Sequence, residues 1–255
     1  MYDDIAQDYQ EIVRDVKMPL HIAELYTFAQ LIGDVRGKTV LDLGCGEGFY
    51  SRRLRDLGAA SVLGVDISGG MVALAQEAEA AGGSGRSGTI EYRVADVRTA
   101  GHLGAFDLVT SFFMLNHALD RDDLLAMCRG IAANLKPGGR FFAFNNNLDM
   151  PPAAYPLIEK YGRRQQAPEP LVEGAPITIT IRRGDEDCTF VDCYLSRATY
   201  AWALDAAGLQ NLTWRPPQVP PAELVGEGQA YWQDFLDYPT FVVIEAAAPA
   251  SPPQR

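Results

Sequence analysis

The feature that most constrains this chain is a loop in which glycines alternate with other residues, directly after a short apolar strand. Glycine allows a positive φ and lets the backbone approach a ligand closely. Asp42 precedes Gly44 by two residues, and the G-x-G-x-G spacing differs from the G-x-G-x-x-G of dinucleotide sites. Because a carboxylate here repels a pyrophosphate but can bind an ammonium group through ordered water, the loop predicts a zwitterionic ligand without phosphate. The segment reads Thr39-Val40-Leu41-Asp42-Leu43-Gly44-Cys45-Gly46-Glu47-Gly48-Phe49-Tyr50.

Two further acidic residues end the next predicted strands. Asp66 stands where a carboxylate of a βαβ unit accepts hydrogen bonds from both ribose hydroxyls, and Asp96 is placed to accept from an adenine amino group. With Asp42, they predict a site for an adenosine with a cationic tail. The predicted cofactor is therefore S-adenosyl-L-methionine, with S-adenosyl-L-homocysteine as its product. Structural alternatives stay open: the glycines could serve only a tight turn, Asp66 could cap the next helix, and Asp96 could be a turn residue.

At these residues the chain resembles the class I S-adenosylmethionine-dependent methyltransferases. The likeness covers residues 37–147 and follows the family's order of motifs. It continues beyond the acidic strand ends into the segments that look like the fourth strand, the loop after it, and the turn before the fifth strand. Those segments are Phe106-Asp107-Leu108-Val109-Thr110-Ser111, Leu115-Asn116-His117-Ala118-Leu119-Asp120 and Leu135-Lys136-Pro137-Gly138-Gly139-Arg140-Phe141-Phe142.

Alternating strand and helix patterns predict an α/β fold with a doubly wound parallel sheet. The resemblance implies a seven-stranded, mostly parallel, Rossmann-like methyltransferase sheet. It also implies cofactor contacts beyond the three acids. Those contacts fall on Tyr2, Tyr9, Gly44, Cys45, Gly46, Ile67, Met71, Val97, Ser111 and Phe112, although Met71 could equally pack in the core.

A single domain is predicted over residues 1–247, followed by a disordered tail over 248–255. Its parts are a helical lid (1–36), a cofactor-binding half (37–147), a substrate-side insertion (148–195), and the last helix and strands (196–247). Within the insertion, Ile177 to Arg182 alternates as a half-buried strand does, and a turn leads into a returning strand. A β-hairpin is therefore expected after the fifth strand.

The first residues resemble the Y-x-x-x-A-x-x-Y opening of many small-molecule methyltransferases, in which the first helix closes over the site. Tyr2 and Tyr9 carry this pattern. An aromatic face or a phenolic oxygen can stabilise a sulfonium charge. We therefore expect one of these residues to contact the methyl side of the cofactor, with Tyr9 also counted among the catalytic residues. The alternative is that Tyr9 belongs to a buried helical stripe.

Two residues after the fourth strand are candidates for catalysis. His117 occupies a segment similar to the family's L-H-H, in which Asn116 replaces the first histidine. A histidine there could accept a proton from an N–H or O–H nucleophile, whereas Asn116 could orient the substrate. The alternative for His117 is a structural role, since methyl transfer needs positioning more than a base. His21 could equally face the substrate.

Composition restricts the partners. The 255 residues carry a net charge of −11 and no basic run, which disfavours nucleic-acid substrates. No apolar run reaches the ~20 residues of a membrane span, and no signal-peptide pattern is seen. The four cysteines form no C-x-x-C pair, and the three histidines are widely separated. We therefore expect a cytoplasmic protein with reduced thiols, without a metal, that is a monomer or a homodimer.

The predicted substrate is a small molecule methylated on nitrogen or oxygen, with carbon left open. Segments such as Glu47-Gly48-Phe49-Tyr50 look similar to the toxoflavin-biosynthesis N-methyltransferases, which suggests a heterocyclic or aromatic secondary metabolite. Three alternatives remain: a methyltransferase acting on a protein or another macromolecule, a non-catalytic S-adenosylmethionine-binding protein, and an NAD-dependent oxidoreductase, for which the third glycine is misplaced.

Overall fold

The computed structural model describes residues 18–82, 87–183, 186–222, 226 and 228–250. The expectations for Tyr2, Tyr9 and the part of the tail from residue 251 onward fall outside these residues. The helices are α1 (Pro19–Leu31), α2 (Phe49–Asp56), α3 (Gly69–Ala81), α4 (Arg121–Ala133), α5 (Arg197–Ala206) and α6 (Gln229–Asp237), with 3₁₀ helices at Met114–His117 and Pro152–Tyr161. The strands are β1 (Thr39–Leu43), β2 (Ser61–Asp66), β3 (Thr89–Val94), β4 (Phe106–Phe112), β5 (Leu135–Asn146), β6 (Arg163–Gln166), β7 (Pro176–Arg183), β8 (Glu186–Cys193), β9 (Gln210–Arg215) and β10 (Phe241–Ala247).

The main sheet has seven strands in the order β3-β2-β1-β4-β5-β10-β9. The pairs from β3 to β5 are parallel, and β10 is antiparallel to both of its neighbours. The strand order reverses beside β1, which joins β2 on one side and β4 on the other. Ligands of open α/β sheets bind at such a switch point, at the carboxyl ends of the strands. The predicted seven-stranded, mostly parallel sheet is confirmed.

The central strands are apolar on both faces because helices cover both sides of the sheet. Val40, Leu41 and Leu43 of β1 are fully buried. Leu41 and Leu43 pack into the core on one side, with α4 and α5, whereas Val40 packs on the other, with α1, the 3₁₀ helix Pro152–Tyr161 and α6. The sheet is therefore a rigid support for the loops at its carboxyl edge.

The insertion after β5 contains the predicted hairpin and more. β7 and β8 pair antiparallel, as expected, but β6 pairs with the other edge of β7 and makes a three-stranded sheet. The sequence analysis missed β6 because Arg163-Arg164-Gln165-Gln166 has no apolar alternation. Two of its polar side chains nevertheless point inward, since Arg163 and Gln165 are both buried.

The sequence analysis also did not predict helix α6, which packs the insertion against the main sheet. Trp232 of α6 is 1% exposed and stacks on Tyr161, with ring centroids 5.6 Å apart and planes 5° from parallel. The Tyr161 hydroxyl donates to the Tyr231 carbonyl at 2.6 Å. Phe235 completes the cluster through edge-on ring contacts with Tyr161 and Trp232. This aromatic cluster holds the 3₁₀ helix that leads into β6.

We expect Trp232→Ala to lower the free energy of unfolding by about 3–5 kcal/mol, since it removes a large buried ring and leaves a cavity. Denaturant unfolding followed by circular dichroism measures this change. Leu236→Ala, on the exposed side of the same helix, is the control and should cost about 1 kcal/mol or less. Equal losses in the two variants would contradict a structural role for the aromatic cluster.

Candidate active site

One continuous cavity of about 320 Å³ lies at the carboxyl edge of the main sheet. One end of the cavity, the predicted cofactor end, is formed by the loops after β1, β2 and β3. The other end, the predicted substrate end, is formed by α1, the 3₁₀ helix Met114–His117, the end of β5 and the inner face of the small sheet. The cofactor-side and substrate-side regions that the sequence analysis separated therefore open into the same space.

The glycine loop has the backbone conformation that its sequence demands. Gly44 has φ +69° and Gly46 has φ +53°, both in the left-handed region. A Cβ on Gly44 would stand 2.6 Å from the Met114 Cβ, so this glycine is required by packing. A Cβ on Gly46 would meet nothing within 4 Å. Gly46 therefore presents bare backbone to the cavity, as close approach of a ligand requires.

Asp42 lies under the loop and is fully buried. Its carboxylate accepts hydrogen bonds from Ser51 Oγ at 2.6 Å and Thr110 Oγ1 at 2.8 Å. Burial raises the pKa of Asp42 to about 6, the two hydroxyl donors lower it in part, and the nearby Asp66 charge raises it further. The carboxylate contributes to the cavity floor, and its contact with a cofactor ammonium remains a prediction.

Asp66 ties the glycine loop to the end of β2. Its Oδ2 accepts from the Gly46 amide at 2.8 Å, and its Oδ1 accepts from the Ser68 amide at 2.9 Å. The capping of α3 falls to Ser68, whose hydroxyl accepts from the Met71 amide. Asp66 thus has a local structural role and also lines the cavity. Ribose binding by its carboxylate remains a prediction.

Asp96 is held by an arginine that the sequence analysis did not single out. Arg98 donates to Asp96 through Nε at 2.8 Å and through Nη2 at 2.7 Å, and it reaches Asp123 with Nη1 at 3.1 Å. The Arg98 side-chain hydrogen bonds keep the pKa of Asp96 below its ordinary value. The carboxylate is therefore ionised and oriented at the cavity wall, as an acceptor for an adenine amino group would be.

Most of the remaining predicted cofactor residues line the cavity, and one does not. Ser111 is fully buried inside β4, in register with Leu43 of β1, and lies outside the lining. The physical reason is strand alternation, because consecutive side chains point to opposite faces of the sheet. Phe112 lines the cavity and stacks on Tyr50, with ring centroids 3.7 Å apart. The other lining residues among those predicted are Cys45, Ile67, Met71 and Val97.

On the substrate side, His117 is backed by an aspartate from the insertion. His117 Nδ1 lies 3.1 Å from Asp192 Oδ1, and the Asp192 side chain is 2% exposed. Asp192 Oδ1 has no hydrogen-bond partner among the described residues, so its contact with His117 is electrostatic. Asp192 Oδ2 accepts from Asn146 Nδ2 at 2.6 Å. The predicted base thus has an acidic partner that is 75 residues away in the chain, which no local motif could reveal.

Asn116 is a buried residue that hydrogen-bonds to the end of β5. It is 4% exposed, and its Oδ1 accepts from the Asn146 amide at 3.0 Å. Asn146 in turn accepts at Oδ1 from Arg163 Nη2, at 2.9 Å. Arg163, Asn146 and Asp192 all line the cavity and were missed by the sequence analysis. Asn116 therefore positions the end of β5 and contributes to the wall of the cavity.

The two other histidines differ in position. His21 of α1 lines the cavity, 3.5 Å from Glu24 and tilted against Phe49. His102 lies on the surface, where its ring nitrogen contacts the Ala133 carbonyl at 2.9 Å. His21 is therefore a second histidine at the substrate end of the cavity.

The described ranges carry no group of three or more side chains able to hold a metal ion. Of the helices that the structure describes, none combines the length and apolarity that crossing a membrane requires. Burial raises the pKa of the Cys45 thiol, which lines the cavity. The cysteines at 45, 128, 188 and 193 form no disulfide with one another.

Comparison with known proteins identifies a family model and relatives that this sequence resembles. Residues 40–139 match the family model described as a methyltransferase domain. A ubiquinone biosynthesis O-methyltransferase of Xanthomonas oryzae pv. oryzae is 37% identical over 134 residues, which are 52% of this chain and 51% of that protein. The N-demethylindolmycin N-methyltransferase of Streptomyces griseus is 27% identical over 186 residues, 72% of this chain and 74% of that protein. The match thus spans about half the length of the ubiquinone relatives.

A solved structure has the same fold. The S-adenosylmethionine-dependent methyltransferase from Mesorhizobium loti superposes with a TM-score of 0.59 at 24% identity, and the match covers 88% of this chain and 97% of that one. The predicted resemblance to class I S-adenosylmethionine-dependent methyltransferases is confirmed, with its fold. The finer likeness to the toxoflavin-biosynthesis enzymes remains a prediction.

Asp66→Ala should weaken binding of S-adenosylhomocysteine by about 1–3 kcal/mol, the range for charge-assisted hydrogen bonds. The variant loses both the predicted ribose contact and the bond that holds the Gly46 amide. Isothermal titration calorimetry measures the affinity, and Asp122→Ala, an exposed aspartate at the start of α4, serves as control. An unchanged affinity in folded Asp66→Ala would reject the role of this carboxylate.

Asp42 should make stability depend on pH. Because its pKa in the folded protein is about 6, above the ordinary 3.8, its contribution is fully present below pH 3.8 and is lost as the pH rises through 6. Wild type should therefore lose up to about 3 kcal/mol relative to Asp42→Asn between pH 4 and 7. Urea unfolding of both proteins across this range measures the difference. Parallel curves would show that Asp42 titrates normally.

Proposed function

We propose that this chain, whose residues 40–139 form a methyltransferase domain, transfers the methyl group of S-adenosylmethionine to a nitrogen or oxygen of a small molecule. The observation that carries the proposal is the single cavity that joins the glycine loop to the pair His117 and Asp192. The named relatives support a small-molecule acceptor, since one is an O-methyltransferase of ubiquinone biosynthesis and another an N-methyltransferase of an indolmycin precursor.

The residues at the strand ends fit the cofactor. The open space beside Gly46 lets a ligand approach the protein backbone. The carboxyl groups of Asp42, Asp66 and Asp96 match an ammonium group, a ribose and an adenine amino group, respectively. When bound, S-adenosylmethionine would supply its sulfonium methyl group to a nucleophile by in-line attack at the methyl carbon, with S-adenosylhomocysteine as the leaving group. The chain's task is to hold the two reactants in near-attack geometry and to keep water away from them.

His117 is the proposed proton acceptor. The negative charge of Asp192 faces Nδ1, so it favours the neutral tautomer that carries its hydrogen there and is basic at Nε2. The N–H or O–H proton of the acceptor moves to Nε2 as the nucleophile attacks the methyl carbon. Asp192 then stabilises the imidazolium that forms. Asp192 is thus a positioning residue, and His117 contacts the reacting group.

The lining favours a planar acceptor. Phe49, Phe113 and Phe190 contribute rings around the substrate end of the cavity, between the glycine loop and the small sheet. Aromatic side chains pack well against flat rings in offset or edge-to-face arrangements. A heterocyclic or aromatic metabolite is therefore the proposed acceptor class.

His117→Asn should lower kcat by about 10²–10³-fold while leaving the affinity for S-adenosylhomocysteine within about twofold, as expected for loss of a general base. Release of S-adenosylhomocysteine is followed with a panel of phenols, aromatic amines and nitrogen heterocycles. Asp192→Asn should lower kcat with little change in KM. His102→Asn, on the surface, is the matched control.

Two outcomes would contradict the proposal. Unchanged kcat in folded His117→Asn would remove His117 as the base and leave positioning alone. Absence of turnover with every small acceptor, combined with methylation of proteins in an extract, would favour the macromolecular alternative. Failure of wild type to bind S-adenosylmethionine would reject the proposed activity altogether.

A further inference from the structure

The geometry points to Arg163 as the binding residue for a carboxylate group on the methyl acceptor, which makes the substrate a planar carboxylic acid. This inference rests on the proposed function and adds the substrate's charge and its anchor. Arg163 begins β6, the polar strand of the small sheet, and lines the same cavity as His117.

The first observation is burial. Arg163 is only 6% exposed, and burial acts to lower the pKa of its guanidinium. An arginine stays protonated in proteins, so the chain carries a positive charge into its interior. A buried cation is costly unless an anion compensates it.

The second observation concerns its partners, which are all neutral. Nη2 donates to Asn146 Oδ1 at 2.9 Å and to Gln165 Oε1 at 3.1 Å, and Nε donates to the same Gln165 oxygen at 3.2 Å. Nη1 makes no hydrogen bond to any residue in the described part of the chain. None of these contacts is a carboxylate. Arg163 is therefore oriented by amide oxygens and keeps donors for a ligand in the cavity.

The acidic side chains near Arg163 make their close contacts with other residues. Asp192 and Glu24 are near enough to favour the charge of Arg163, but neither forms an ion pair with it among the described contacts. Asp192 faces His117 and accepts from Asn146, and Glu24 lies 3.5 Å from His21. The compensating anion is thus best supplied by the substrate.

The chemistry of the side chain favours a carboxylate in particular. A guanidinium presents N–H groups in a planar fork that matches two carboxylate oxygens, and such bonds are roughly twice as strong as neutral ones. The positive charge of a bound sulfonium would also favour an acceptor with negative charge. A substrate held at Arg163 would lie in the cavity that His117 also lines, and the two residues are linked through Asn146 and Asp192.

The test uses the protein loaded with S-adenosylhomocysteine and simple planar probes in matched pairs: benzoate with benzamide, anthranilate with aniline, and indole-3-carboxylate with indole. Isothermal titration calorimetry gives each affinity. Wild type should bind at least one carboxylate about tenfold more tightly than its partner. Arg163→Met should abolish that preference, and Arg163→Lys should retain only part of it.

Arg164→Met is the matched control, because Arg164 is the next residue of β6, partly exposed and 3.6 Å from Asp187 at the surface. It should leave the preference intact. Binding of S-adenosylhomocysteine and the melting temperature report whether each variant is folded. If Arg163→Met does not fold, the wild-type preference and Arg163→Lys decide the question.

The inference fails if wild type shows no preference for any carboxylate, or if the preference survives in folded Arg163→Met. A preference for benzamide over benzoate that Arg163→Met removes would also overturn it, since the arginine would then bind a neutral carbonyl oxygen. None of these results touches the proposed methyl transfer, which is judged separately by cofactor binding and turnover.

Discussion

The site depends on one buried carboxylate that joins three elements. Asp42 of β1 accepts from Ser51 of α2 and from Thr110 of β4, so the strand, the helix after the glycine loop and the neighbouring strand meet at one anion. Burial works against its ionisation, whereas a cationic ligand above it would favour ionisation. The glycine loop, where the cofactor is proposed to bind, is therefore supported by a carboxylate whose ionisation burial opposes and a cationic ligand would favour.

The sequence predicted which residues meet around the glycine loop because the determinants of that end of the cavity are local. Positive φ at Gly44 and an acid at the end of β2 are fixed by neighbours within a βαβ unit, so spacing alone reveals them. The substrate end could not be predicted in the same way. Asp192 meets His117 only after the insertion folds back, and β6 is a strand without apolar alternation. Ser111, which the family resemblance placed among the cofactor contacts, lies outside the cavity lining because strand alternation turns its side chain to the other face of the sheet.

The division between the two ends also follows the family match. That match covers residues 40–139 and ends before Asn146, Arg163 and Asp192. The cofactor end is thus built mainly from the part of the chain that matches the methyltransferase domain model. The substrate end is built from α1 and from the small sheet, which the Trp232 and Tyr161 stack fastens to the core. Changes in the insertion could alter the acceptor without disturbing the cofactor loop.

Asn146 is the residue through which the main sheet organises the insertion. It lies at the end of β5, paired with Phe241 of β10, so its backbone is set by the core. Its carboxamide accepts from Arg163 on one side and donates to Asp192 on the other, which fixes the orientation of both groups. If the arginine and the aspartate paired directly, each would neutralise the other. A neutral amide between them keeps the cation available for a ligand and the anion available for His117.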